Sequence, residues 1–298
     1  MTGRPSSVRN KSQQVDRNTL TNSASAADDH AFAAELARGA GAILLGLRAE
    51  VDAAGDLVDT AAFKDLGDAR AQAWLADALA AGRPDDSVLS EEAADDPARL
   101  DADRVWIIDP LDGTREFAEK TDGRWRTDFA VHVALWQRGP GLTAGAVALP
   151  ARDRVYATDS TPESSAASAA AAVLAGDRPL RIAASRSRPP AFVAALAERD
   201  DIELVPMGSA GVKVVSVVDG TVDAYLHAGG QYEWDSAAPV AVATAAGLVC
   251  TRLDGSPLVY NRANPWLPDL FVSHPALQAH VHGLLTTVVT PDKEGTQS

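Results

Sequence analysis

Asp109 and Asp112 stand three residues apart in Asp109-Pro110-Leu111-Asp112-Gly113-Thr114-Arg115-Glu116-Phe117-Ala118, directly after the apolar run Val105-Trp106-Ile107-Ile108. Two carboxylates this close to the end of a buried strand repel each other unless a cation or a proton intervenes. Pro110 and Gly113 impose an unusual backbone path, and Gly113-Thr114 stand where a helix could begin and offer its unpaired N–H groups to an anion. Further carboxylates lie upstream and downstream. Glu91-Glu92 follow the apolar Val88-Leu89, and Glu233-Trp234-Asp235 open a helix at Ser236-Ala237-Ala238. A set of Asp and Glu with no Cys and no nearby His suits hard, oxygen-preferring ions, magnesium or manganese rather than zinc. Two such ions about 4 Å apart can stabilise both the attacking and the leaving oxygen of a phosphoryl displacement. Taken singly, Asp235 is an ordinary N-cap, and Glu91 with Glu92 a solvated acidic loop. The pair at the strand end resists so plain a reading.

Secondary structure must bring these side chains together. From Ser25 a helix is expected, with Asp28 and Asp29 in its first turns and Phe32, Leu36, Ile43, Leu44 and Leu47 near the helical period. A second helix is expected after Asp68, with Trp74, Leu75 and Leu79 on one face. Past the acidic loop 85–103, strands at 105–108, 129–136, 145–149 and 154–157 form a mainly antiparallel meander. Ser160 to Asp177 is rich in Ala and Ser, a surface helix or a connection, and the domain boundary is placed there. Beyond it, strands at 180–184, 202–206, 224–227 and 248–252 alternate with helices at 190–199, 211–219 and 235–246, the pattern of an α/β layer. The expected organisation is an α+β part over 25–160 and an α/β part over 178–289, with polar tails at 1–24 and 290–298 disordered on composition.

With 298 residues, 46% of them hydrophobic, the chain can bury a large core. A formal charge of −14 argues against non-specific binding to nucleic acid or a membrane surface. An anionic substrate would approach that charge unfavourably unless metal ions reversed the local sign. Cys250 is the single cysteine, which excludes intrachain disulfides and thiolate zinc sites, and in Gly247-Leu248-Val249-Cys250 it reads as a small apolar strand residue. No apolar run approaches the ~18 residues of a membrane span, and the first 24 residues carry no apolar signal region, so a cytoplasmic location is expected. His30, His132, His227, His274, His280 and His282 form no ligand cluster apart from the spaced pair at 280 and 282, which reads as structural. Trp125 and Arg126, a few residues after the run Asp109–Ala118, either flank a cleft and contact a ligand or form a surface loop.

Trp106-Ile107-Ile108-Asp109-Pro110-Leu111-Asp112-Gly113-Thr114, with Glu91-Glu92 before it and Trp234-Asp235 after it, resembles the signatures of the inositol monophosphatase superfamily of magnesium-dependent, lithium-sensitive phosphatases. The resemblance spans roughly residues 28 to 275. It implies a layered αβαβα sandwich, the fold shared with fructose-1,6-bisphosphatase, with the active site between an N-terminal α+β part and a C-terminal α/β part. It further implies that Glu91, Asp109 and the Leu111 carbonyl hold a first Mg²⁺, and that Asp109, Asp112 and Asp235 hold a second, with Mn²⁺ as a substitute. Thr114 with Glu91 would orient the attacking water, and the N–H groups of Gly113 and Thr114 would hold the phosphate beside Leu111, Asp112 and Asp235. Helix dipole and metals together would offset the phosphoryl charge. Members usually carry Val-Thr-x-x-Asp before the second helix, whose Asp assists a third metal. Here Lys64-Asp65-Leu66-Gly67-Asp68 stands in that place, so only Asp68 matches, and its other role is a helix N-cap. Members are often homodimers, an assembly for which the residues themselves identify no interface.

Three features resemble the 3′(2′),5′-bisphosphate nucleotidase branch. The signature continues Arg115-Glu116-Phe117 where inositol phosphatases more often show Thr-Asn-Phe; Ala184-Ser185-Arg186-Ser187-Arg188 is similar to that branch's Ser-Arg-Ser-His segment; and Gly208-Ser209-Ala210-Gly211-Val212-Lys213 is similar to a segment whose Lys reaches the substrate's other phosphate. Ser185, Arg186 and Lys213 are therefore expected to bind substrate, against the plainer roles of a helix-start loop and a surface lysine. The reaction this implies is removal of the 3′-phosphate of 3′-phosphoadenosine 5′-phosphate to give AMP. The alternative is a broad phosphatase for inositol 1-phosphate and fructose 1,6-bisphosphate. A catalytically silent phosphate-binding relative would lack a ligand, whereas Glu91, Asp109, Asp112, Thr114 and Asp235 are all present.

Overall fold

The computed structural model describes residues 15–55, 59–160, 166–186 and 189–289. In chain order, α1 (Val15–Ala54) and α2 (Thr60–Gly82) precede β1 (Ser87–Ser90), β2 (Arg104–Asp112) and the single turn α3 (Thr114–Phe117). A small hairpin, β3 (Lys120–Thr121) with β4 (Arg124–Trp125), leads into β5 (Ala130–Gln137), β6 (Gly141–Leu149) and β7 (Arg154–Ala157). Next come α4 (Ala166–Leu174), β8 (Leu180–Ser185), α5 (Ala191–Leu196), β9 (Ile202–Met207) and α6 (Ala210–Val218). The chain continues through β10 (Ala224–Tyr232), α7 (Glu233–Ala245), β11 (Val249–Thr251), β12 (Trp266–Ser273) and α8 (Gln278–Val289).

The strands form two five-stranded sheets, ordered β1-β2-β5-β6-β7 and β11-β12-β10-β8-β9. In the first, β1 runs parallel to β2 and the remaining pairs are antiparallel. In the second, β8 is parallel to both β9 and β10, while β12 is antiparallel to β10 and β11. Side-chain alternation turns these sheets into layers. Trp106 and Ile108 of β2 pack with Val131 and Val133 of β5 under Leu36, Leu44 and Leu75 of α1 and α2. Val105 and Ile107 face the other way, onto Val212 and Val215 of α6, Ala238 and Val242 of α7, and Tyr225 and Val272 of the second sheet. That sheet's outer face, with Ile182, Leu226 and Phe271, is covered by Val173, Leu196 and Val281 of α4, α5 and α8. Both faces of β2 are covered, which explains a continuous apolar run rather than alternation. The result is the expected αβαβα sandwich, and its middle core draws side chains from both sides of residues 161–165.

Several boundaries differ from expectation. The first helix begins at Val15 rather than Ser25, taking in part of the segment read as a tail; residues 1–14 and 290–298 lie outside the described residues. The second helix begins at Thr60, and its N-cap is Asp59, whose carboxylate accepts from Ala61 N–H at 2.9 Å. Asp68 therefore sits inside α2 and caps nothing. β12 was not anticipated because Pro268 interrupts its pattern. The proline falls at the register shift opposite Ala228–Gln231, where no ladder hydrogen bond is required of it. Among the described residues no helix is long and apolar enough to cross a membrane.

Candidate active site

Residues three apart on a regular strand point to opposite faces. Asp109 lies opposite His132 and Asp112 opposite Ala130, so β2 advances three residues while β5 advances two. This bulge, at Pro110-Leu111, turns both carboxylates to one side. Asp235, in the first turn of α7, completes the group: ligand atoms of Asp109, Asp112 and Asp235 all lie within 4.8 Å of one another. Asp235 Oδ2 accepts from Tyr232 N–H at 2.6 Å in a capping arrangement. Its neighbour Glu233 turns away, accepting from Asn261 N–H at 2.6 Å and Arg262 N–H at 2.9 Å.

The electrostatics are those of like charges held together. Burial, followed by the charges of Glu91, Asp112 and Asp235, raises the Asp109 carboxyl well above its ordinary range. Its Oδ1 accepts from Leu111 N–H at 3.0 Å, whereas its buried Oδ2 has no partner. Burial and the Asp112 charge push Asp235 up to about 6, and burial with the Asp235 charge pushes Glu91 up to about 7. Asp112 moves the other way. Burial opposes its charge, but His132, Lys213 and Ser209 outweigh that and hold it below the usual range. An orphaned carboxylate oxygen within an all-oxygen group of three acids fits a hard divalent cation. Glu91 stands at the rim, exposed along part of its side chain while its carboxyl faces the acidic group, with its backbone N–H on Ile108 O at 3.4 Å. Asp68 is pushed up to about 7 by burial and by the charges of Glu92 and Asp65.

The turn after β2 forms a cradle. Gly113 adopts φ 89°, and a Cβ there would lie 3.2 Å from Asp128 O and 3.3 Å from Ser209 Cβ, so both conformation and space call for glycine. Thr114 Oγ1 donates to Leu111 O at 3.2 Å. The helix that begins at Thr114 is a single turn of four residues, so it brings the amides of one turn to the cradle and little helix dipole.

Lys213 is not a surface lysine. It is buried on α6, donates from Nζ to Ser209 O at 2.6 Å and lies 5.4 Å from the Tyr225 ring centroid. Burial lowers its pKa, against the charges of Asp112 and Glu116. Ser185 ends β8. Arg186 reaches across to the first half, where Nη2 donates to Glu116 Oε1 at 2.7 Å and Nη1 to Glu119 Oε1 at 2.8 Å. Two of the sequence features read as separate indicators, Glu116 and Arg186, are thus halves of one ion pair. Arg126 pairs with Asp128 at 2.6 Å, and Trp125 Nε1 donates to Asp52 at 3.0 Å, so neither belongs to a free surface loop.

Two residues were not singled out. Ser209 has φ 54°, rare for a residue other than glycine; its Oγ donates to Asp112 Oδ2 and accepts from Val212 N–H. His132 corrects the expectation of no histidine nearby, since Nε2 lies 3.2 Å from Asp112 Oδ2. The signal available for it was one polar residue inside the run Phe129–Leu135. The pair at 280 and 282 does not converge on this site: the ring of His282 stacks on Phe271 with centroids 4.6 Å apart. Burial pushes the Cys250 thiol up to about 12, consistent with an inert strand residue.

A model of the inositol monophosphatase family matches residues 26–288. A protein of Mycobacterium leprae (strain TN) named 3′-phosphoadenosine 5′-phosphate phosphatase is 49% identical over 271 residues, covering 87% of this chain and 94% of that protein. One of the same name from Mycobacterium bovis is 52% identical over 238 residues, covering 78% of this chain and 84% of its own. The crystal structure of CysQ from Bacteroides thetaiotaomicron, 24% identical, superposes with a TM-score of 0.66 and covers 83% of this chain and 97% of its own.

Proposed function

The chain belongs to the inositol monophosphatase family, and from that premise we propose that it is a magnesium-dependent phosphomonoesterase that removes the 3′-phosphate of 3′-phosphoadenosine 5′-phosphate, leaving AMP. The observation that carries the reaction is the convergence of Asp109, Asp112 and Asp235 within 4.8 Å, with Asp109 Oδ2 buried and unpaired. The substrate rests on the name of relatives about half identical over most of both chains. Glu91, Asp109, Asp112, Asp235 and the Leu111 carbonyl would hold the ions, with Asp68, which feels the charge of Glu92, as a further candidate. When bound, Mg²⁺ would ease deprotonation of the attacking water and offset charge on the phosphoryl oxygens.

The chain's own groups supply orientation. Glu91, with its raised pKa, and Thr114 direct the water, and the amides of Gly113 and Thr114 receive the phosphate. Lys213 and Arg186 lie on the Ser209–Glu116 side, and they would receive the substrate's other phosphate. For Arg186 to meet that phosphate it exchanges a Glu119 oxygen for a phosphate oxygen, a trade between like acceptors. The test compares phosphate release from 3′-phosphoadenosine 5′-phosphate, inositol 1-phosphate and fructose 1,6-bisphosphate with Mg²⁺, with and without Li⁺. The nucleotide is expected to lead in kcat/KM by roughly tenfold or more, with inhibition by lithium. A lead of that size for inositol 1-phosphate overturns the substrate assignment.

A further inference from the structure

His132 lies among the carboxylates, and it does more there than favour the charged form of Asp112. It is fully buried on β5, on the face shared with Ala130 and Ala134, and opposite Asp109 in the β2–β5 register. Its Nδ1 is 3.1 Å from the backbone carbonyl of Trp234. A carbonyl only accepts, so Nδ1 carries the hydrogen and donates it. On the other side of the ring, Nε2 lies 3.2 Å from Asp112 Oδ2. Asp109 Oδ2 is 3.8 Å from Nδ1. Gly211 completes the seat: a Cβ there would stand 2.0 Å from Nε2, so the space for the ring exists because α6 carries glycine at that position. β2, β5, α6 and α7 all meet at this one imidazole.

The meeting matters because Asp112 and Asp235 come from different halves of the chain and each is held from its own surroundings. Asp112 Oδ2 accepts from Ser209 Oγ and from Gly211 N–H, the latter at 2.7 Å. Asp235 is held by Tyr232 N–H. His132 spans the two: Nε2 packs 3.2 Å from Asp112 Oδ2 without a hydrogen bond, and Nδ1 is hydrogen-bonded to the residue before Asp235. We propose that His132 is a positioning residue that sets the spacing of Asp112 and Asp235, and with it the affinity of the divalent cation those two carboxylates share. The proposal rests on the metal-dependent phosphatase reading. An imidazole that merely fills the core would, when replaced, change stability and leave the ratio of the two metal affinities alone. A spacer changes that ratio.

The experiment titrates Mn²⁺ calorimetrically into the full chain without nucleotide, for the parent and for His132→Ala, His132→Asn and His132→Gln, alongside thermal unfolding of each metal-free protein. Asparagine places an N–H near the position of Nδ1, and glutamine reaches only toward Nε2. In His132→Ala the weaker Mn²⁺ site is expected to lose affinity by about tenfold or more while the tighter site is little changed. His132→Asn returns most of that affinity and His132→Gln does not. The Mg²⁺ concentration for half-maximal phosphate release shifts in parallel, with substrate KM at saturating Mg²⁺ unchanged. If the alanine variant does not fold, the asparagine–glutamine contrast decides alone. Equal affinities across the variants, equal weakening of both sites, or equal rescue by Asn and Gln overturns the proposal. A parent that binds two Mn²⁺ yet hydrolyses no nucleotide overturns the functional reading and leaves this one standing.

Discussion

Asp109 has one oxygen committed to Leu111 N–H and the other buried without a partner, a state that costs free energy whenever no cation is present. Asp109→Asn keeps an acceptor for Leu111 and removes the charge. We expect turnover to fall on the order of 10³-fold, while the metal-free variant unfolds no earlier than its parent. Steady-state kinetics and thermal unfolding check the two halves; turnover within about tenfold of the parent removes Asp109 from the site. Residue types and spacings made the carboxylates legible in the sequence, because paired acids beside an apolar run leave few physical explanations. Other residues were legible only in three dimensions. The place of His132 beside the carboxylates follows from a strand register that sets it opposite Asp109, and that of Ser209 from a backbone angle no residue type announces. Glu116 and Arg186 looked like two indicators of a nucleotide substrate because their ion pair joins residues 70 apart. A single structural device can produce both, so together they count as one observation.

At the scale of elements, the bulge in β2 is what makes the site: on a regular strand their three-residue spacing would turn Asp109 and Asp112 to opposite layers. The elements around it were readable where periodicity was strong, as in the meander of β5 to β7, and less so where local chemistry misled. Asp68 looked like a helix start because an acid before an apolar period usually is one, whereas Asp59 holds that place a little over two turns earlier. α1 supplies a test of packing against propensity. A Cβ at Gly39 would lie 2.1 Å from the Trp74 ring of α2, whereas one at Gly46, on the same helix, would meet nothing within 4 Å. Both changes to alanine gain helix propensity, up to about 1 kcal/mol, and only the first overpacks the α1–α2 contact, at about 1–3 kcal/mol. Gly46→Ala is therefore expected to raise the urea midpoint and Gly39→Ala to lower it, at equal m. Shifts of the same sign would show that Trp74 swings aside without cost.

At the scale of the whole molecule, a chain of formal charge −14 gathers acids from both halves onto a middle core that both halves build. Folding without metal therefore concentrates like charge, and protons take up the strain. Glu91 rises from 4.5 to about 7, Asp68 from 3.8 to about 7 and Asp235 from 3.8 to about 6, with Asp109 raised as well. Each of these groups holds its proton more tightly folded than unfolded. Their contribution to stability is thus fully present below the unfolded carboxylate range and is lost as pH rises through about 6 to 7. Asp112, Asp128 and Asp223 are shifted the other way, so their contribution is lost only on acidification below the ordinary carboxylate range. A divalent cation must displace the site protons, and its stabilising effect grows as they leave. Metal-free protein is accordingly expected to melt lower at about pH 8 than at about pH 5, with the Mg²⁺-induced rise in Tm larger at the higher pH. Calorimetry across that range, in chelator and in saturating Mg²⁺, reads both trends, and the shared middle core predicts one transition throughout. A metal-free Tm that climbs with pH would mean that the four carboxyls are already ionised without a cation. The repulsion built into the site would then be answered by something other than protons.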